Sequence, residues 1–206
     1  MIRTARFGFA LHAAPALMLA YGIVRLIDGR DGTYGPGPAW TVGHLLFLGA
    51  LVLYGLVIAS LWRQIPVGGT ARRVTAGILA GGAAVGLVAF IRVAVLDIVV
   101  GLKAADHAEK SALADKYADV PAILPTAFYE MAPMLFMLGL TALLVQHAVI
   151  ARRTAVVLSP VATLLGFVAI AVNLDLLPLG AAFIWLSLLP FARTNSRRAT
   201  TTAVPA

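Results

Sequence analysis

Six apolar runs of roughly span length, separated by short polar connections, leave this chain little choice of architecture. They fall at 7–26, 40–62, 74–100, 125–150, 154–173 and 176–192. A helix needs about 20 residues to cross roughly 30 Å of hydrocarbon, and within lipid only a helix or a closed barrel satisfies its own backbone. With 61% of its 206 residues hydrophobic and 12% charged, the chain has no length left for a separate soluble catalytic domain. The reading is therefore an all-α, polytopic transmembrane bundle of about six spans, forming one domain over 1–198. The Thr- and Ala-rich tail at 199–206 is expected to be disordered.

The breaks between runs are chemically marked. Gly32 to Pro38 holds three glycines and two prolines and reads as a turn-rich loop. Gly68-Gly69, Arg152-Arg153 and Asn173-Leu174-Asp175 mark three further reversals. The longest connection, Gly101 to Leu124, carries Asp106 and Lys110 at an i, i+4 spacing, with Leu102, Leu113, Tyr117 and Val120 as an apolar side. Two readings stay open for it: a short surface helix lying on the bundle mouth, or a solvated loop.

Charge sets the expected orientation. Ten Lys and Arg residues (Arg3, Arg6, Arg63, Arg72, Arg73, Arg152, Arg153, Arg193, Arg197 and Arg198) fall on the side of the termini, and five (Arg25, Arg30, Lys103, Lys110 and Lys116) on the other. Cytoplasmic loops retain positive charge, so both termini are expected in the cytoplasm, with the chain in a plasma (inner) membrane. All nine acidic residues lie on the opposite side or in a span near it. Arg3 and Arg6 ahead of an apolar run also resemble a secretory signal. The run is longer than a signal core, holds His12 and Pro15, and lacks a small-x-small site, so it is read as a span.

Ionisable side chains within a membrane are costly and mark a functional site or a pairing that holds the bundle together. On this topology Tyr21 and Arg25, Trp40 and His44, Arg92 and Asp97, Tyr129 and Glu130, and Asn173 and Asp175 all fall in the outer third. A polar pocket above an apolar floor follows, opening outward or sideways into the outer leaflet. Glu130, Met134, Met137 and Thr141 share one helical stripe, which suits either a cavity wall for an apolar ligand or plain packing. Phe90 shares the face of Asp97, whereas Arg92 points about 140° away, so each charge needs a partner on another helix.

Several chemistries are absent from the sequence. There is no cysteine, hence no thiolate nucleophile or disulfide, and His12, His44, His107 and His147 show no HxxxH or HxxE spacing, so neither a metal nor another cofactor is expected. No Asp-rich diphosphate motif, G-x-S-x-G or Walker A occurs, and no basic, aromatic-interleaved surface for nucleic acid. What remains is an acid facing an apolar cavity, where the charged form is disfavoured and a proton can be donated. Beside aromatic rings, such an acid suits cyclisation of a polyene, because ring faces stabilise the cation formed.

With Asp97, Glu130 and the aromatics Tyr21, Trp40, Phe90 and Tyr129 at one level, the chain resembles the small integral-membrane terpene cyclases of meroterpenoid and prenyl-indole pathways. The resemblance rests on size and these residues; no long motif matches. It implies a catalytic acid at Glu130 or Asp97, metal-independent chemistry, and a lipophilic prenylated substrate. The other expected substrate-binding residues are Tyr21, Trp40, His44, Phe90, Arg92, Tyr129, Met134, Met137, Asn173 and Asp175. Beyond that substrate, membrane lipids are the expected partners. A non-enzymatic partner subunit or a small proton-coupled carrier stays open as the alternative, although the inner two-thirds offer a carrier no polar path.

Overall fold

The computed structural model of the protein describes residues 2–66, 68–118 and 126–201. These form seven helices: α1 (Ile2–Asp28), α2 (Pro38–Gln64), α3 (Thr70–Lys103), α4 (His107–Ala118), α5 (Thr126–Ala151), α6 (Thr154–Val172) and α7 (Leu177–Thr201). All but α4 are long and apolar enough to cross a membrane, so the chain is an integral membrane bundle of six spans. Helix α7 continues to Thr201, and the rest of the tail expected after Arg198 lies outside the described residues, as do Asp119 and Val120.

The helices end where the sequence supplies the means. After α1, a short 3-10 turn at Gly29–Asp31 closes on Gly32 at φ +82°. Arg152 between α5 and α6 takes φ +50°, and the Asn173 side chain accepts the Asp175 backbone N–H to cap the last turn. Helix α4 is the surface helix anticipated in the longest connection. It begins with a reciprocal cap: Asp106 Oδ1 accepts the Glu109 N–H at 2.8 Å, and Glu109 Oε2 accepts the Ala105 N–H at 2.7 Å. The i, i+4 spacing of Asp106 and Lys110 does fall on a helix start, where Asp106 serves as this cap and Lys110 reaches back across the mouth to the loop before α2.

Each span packs on its chain neighbours, α3 passing over α4 to α5, and α7 returns to α1, so the six close into a ring. Its centre is filled rather than open. Tyr54 of α2, Phe136 of α5 and Phe167 of α6 make consecutive edge contacts at 5.4 and 6.2 Å between centroids, amid fully buried Leu11, Leu51, Leu140 and Ile184. At the closest approach of α3 and α5, Gly86 and Gly139 present no side chain. A Cβ on Gly86 would lie 2.5 Å from the Phe136 backbone nitrogen, and one on Gly139 2.7 Å from that of Ala83. In lipid, small residues at such a crossing let backbones approach and gain dispersion contacts that apolar bulk cannot supply. This seam fixes the antiparallel register that sets Arg92 of α3 beside Tyr129 of α5.

Candidate active site

A cavity of about 340 Å³ lies in the groove between α3 and α5, above the glycine seam. Arg92, Leu96, Asp97 and Val100 of α3, Tyr129, Glu130 and Pro133 of α5, and Ala114 and Tyr117 of α4 supply its walls. Its volume falls in the range that takes small molecules. The helix period accounts for the α3 wall, since 92, 96 and 100 make one i+4 row and 93 and 97 the row beside it. On α5, Pro133 has no N–H to give the Tyr129 carbonyl, which leaves that acceptor without its usual helical donor at the cavity wall.

Asp97 is the most elaborated group. Its side chain keeps 39% exposure, and its Oδ2 stands 3.8 Å from His44 Nε2. The other imidazole nitrogen, Nδ1, lies 2.8 Å from the Trp40 carbonyl oxygen, which can only accept. Nδ1 therefore carries the proton, and in neutral His44 the Nε2 facing Asp97 is left as a base. Trp40 closes the arrangement by donating its indole N–H to the Asp97 carbonyl at 3.0 Å, while its ring lies 4.1 Å from that of His44. Tyr21 meets His44 edge-on at 5.4 Å and stacks on Phe47 at 4.8 Å, and Phe47 meets Phe90 at 5.2 Å. The expected residues Tyr21, Trp40, His44 and Phe90 thus form a wall behind Asp97, and Asp97 alone of that group faces the cavity.

Arg92 and Asp97 each find a partner on another helix. The Arg92 guanidinium lies 4.3 Å from the Tyr129 ring centre, and Lys103 stands 5.4 Å from that of Tyr117 while donating to its hydroxyl at 2.7 Å. At most one face of each tyrosine is then free for a positively charged substrate group. Glu130 lines the same cavity as Asp97, exposed at its edge.

Two expectations are corrected. Met134 is 56% exposed on the outside of the bundle and Met137 packs against the core, so neither lines the cavity. The buried face of α5 runs through Ala132, Phe136, Leu140 and Leu143, and the stripe beginning at Glu130 straddles its edge instead of following the cavity, which ends at Pro133. Asn173 and Asp175 also lie away from the cavity. Asp175 accepts the Tyr34 hydroxyl at 2.9 Å, which holds the phenol in its neutral form and raises its pKa, and Asn173 caps the turn.

Sequence reasoning missed Tyr34, Lys110 and Arg25 as a set. Tyr34 carries the Arg25 guanidinium 4.0 Å over its ring, and its carbonyl accepts from the Lys110 ammonium, which also lies 4.4 Å over Trp40. Partial burial pulls the Lys110 pKa down, against the pull of Asp28 and Asp97. The Gly- and Pro-rich loop thereby anchors α4 at the mouth. The Asp106-x-x-Glu109 spacing was the available sign of where α4 begins, and the cavity-facing Tyr117 lies three turns along it.

Among the described residues no three His, Asp or Glu side chains converge as a metal site would need. Comparison with protein-family models, curated proteins and solved structures found no match.

Proposed function

We propose that the chain is a membrane enzyme that isomerises a prenylated, lipophilic small molecule by proton transfer, with its basic end in the cytoplasm of a bacterial-type inner membrane. The observation that supports this reading is that two carboxyls from different spans, Asp97 and Glu130, face one small, mainly apolar cavity. Asp97 is the donor: its neutral acid adds a proton to a terminal alkene or epoxide of the substrate. The electron pair of the next alkene closes a carbon–carbon bond, and the resulting cation loses a C–H proton to the Glu130 carboxylate, so the product is an isomer of unchanged mass. His44 positions Asp97 and holds a base behind it, through which the proton can be restored. The apolar walls keep water from capturing the cation.

Membranes containing the protein, incubated with prenylated phenols, quinones and indoles and their epoxides, are expected to give isomeric products whether or not EDTA is present. If none of these substrates is converted while the protein remains folded, the enzymatic reading fails.

A further inference from the structure

The opposite end of the bundle holds a second feature, which the proposed chemistry does not use. Two Arg-Arg pairs far apart in sequence, Arg72-Arg73 at the start of α3 and Arg152-Arg153 after α5, are brought to the same level by the antiparallel packing of α3 and α5. Between them lies an open pocket of about 570 Å³ lined by Arg72, Arg152, Gln146, Val149 and Ile150. Gln146 is locked by its amide, which donates to the Arg72 carbonyl at 2.7 Å. Its Oε1 is buried without a hydrogen-bond partner among the described residues.

These guanidiniums have no counter-charge among the described residues. By sequence all nine acidic residues fall toward the other end of the chain's spans, and among the described residues no carboxylate lies within ion-pair distance of these guanidiniums. Arg73 leans on the Trp62 ring at 5.4 Å, whereas Arg72 and Arg152 face the pocket. The α3 N-terminus adds its dipole and unpaired amides to the same corner. An anion must therefore come from outside.

The surroundings state what kind. Running from this corner toward the middle of the membrane, α5 exposes Val149, which lines the pocket, and Val145 one turn further along. The corner thus joins a twofold cationic head site to an apolar track, which matches a molecule with a phosphate at one end and acyl chains at the other. We infer that the cleft between Arg72 and Arg152 binds the headgroup of an anionic phospholipid, with its chains lying along Val149 and Val145. Guanidinium forks suit phosphate oxygens, and basic corners between spans recruit anionic lipid.

The test uses the full chain purified in neutral detergent and titrated separately with phosphatidylglycerol, phosphatidylcholine and inorganic phosphate, with bound adducts counted by native mass spectrometry. Phosphatidylglycerol is expected to saturate at low stoichiometry and to bind at least tenfold more tightly than either control. Each arginine replaced by glutamine is expected to weaken it by about fivefold, and R72Q/R152Q by about 30-fold, while R30Q/K116Q at the other end leaves it unchanged. Equal binding of phosphatidylcholine, phosphate binding as tightly as the lipid, or full affinity in R72Q/R152Q would overturn the assignment. The lipid comparison on the unaltered chain decides the matter even if the double variant fails to fold.

Discussion

The two ends of the bundle handle charge in opposite ways. At the acidic end the polar groups of the wall are held by one another: Trp40 by the Asp97 carbonyl, His44 by Trp40 and Asp97, Tyr34 by Asp175, and Lys110 by the Tyr34 carbonyl and the Trp40 ring. At the basic end the arginines have ring contacts, Arg63 with Phe7 and Arg73 with Trp62, and no carboxylate among the described residues. Charges that the chain pairs within itself can be held away from water and set around a cavity. Charges left unpaired must stay where water and headgroups reach them. On our proposals, the first arrangement makes a site and the second a contact with the surrounding membrane.

Substitutions at the acidic end should test that division most sharply. Asp97→Asn and Glu130→Gln are each expected to lower isomerisation by about 100-fold or more, the usual weight of a positioned acid or base, with native-like elution from a sizing column as the check on folding. Phosphatidylglycerol binding should not move in either variant. Parallel loss of lipid binding would mean that the two ends are not independent.

Gly86→Val attacks the seam between them. Three added carbons meet the Phe136 and Ala132 backbone, which cannot swing aside as a side chain would, so a loss of about 3 kcal/mol is expected in a denaturation series in mixed micelles. Trp40→Phe keeps a ring beside His44 but removes the indole donor to the Asp97 carbonyl, a loss of about 1 kcal/mol in the same assay. If activity falls further than that stability loss explains, Trp40 also positions Asp97.

The smallest effect is expected at Tyr34. Because its folded pKa lies above the ordinary value of 10.0, the neutral phenol contributes stability below that pH, and the contribution is lost as pH rises through the raised value. Tyr34→Phe should therefore melt slightly lower at neutral pH and show a shallower alkaline decline than the unaltered chain. An unchanged alkaline slope would show that the Tyr34 to Asp175 bond does not hold in solution.

The spans were legible because the cost of exposing backbone to lipid forces long, unbroken apolar runs, and such runs are visible in any sequence. The level shared by Asp97, Arg92 and Tyr129 was legible for the same reason, since topology assigns each residue a depth. Which way a side chain turns at that depth was harder to read. Met134 and Glu130 share a stripe by helical period, yet one faces outward and the other edges the cavity, because the face α5 presents is decided by where Gly86 and Gly139 let it lie against α3. The partnership of Tyr34 with Asp175, 141 residues apart, had no local sign at all, since it depends on α7 returning to α1.

The glycine seam has a bearing on what the cavity admits. Backbone touching backbone below the site works as a caliper locked at one setting: α3 and α5 cannot be spread by a bulky guest without parting along their whole contact, nor drawn closer around a slim one. On the proposed function, selection by girth would fall to two residues that never meet the guest, and trimming the lining would deepen the pocket without making it wider.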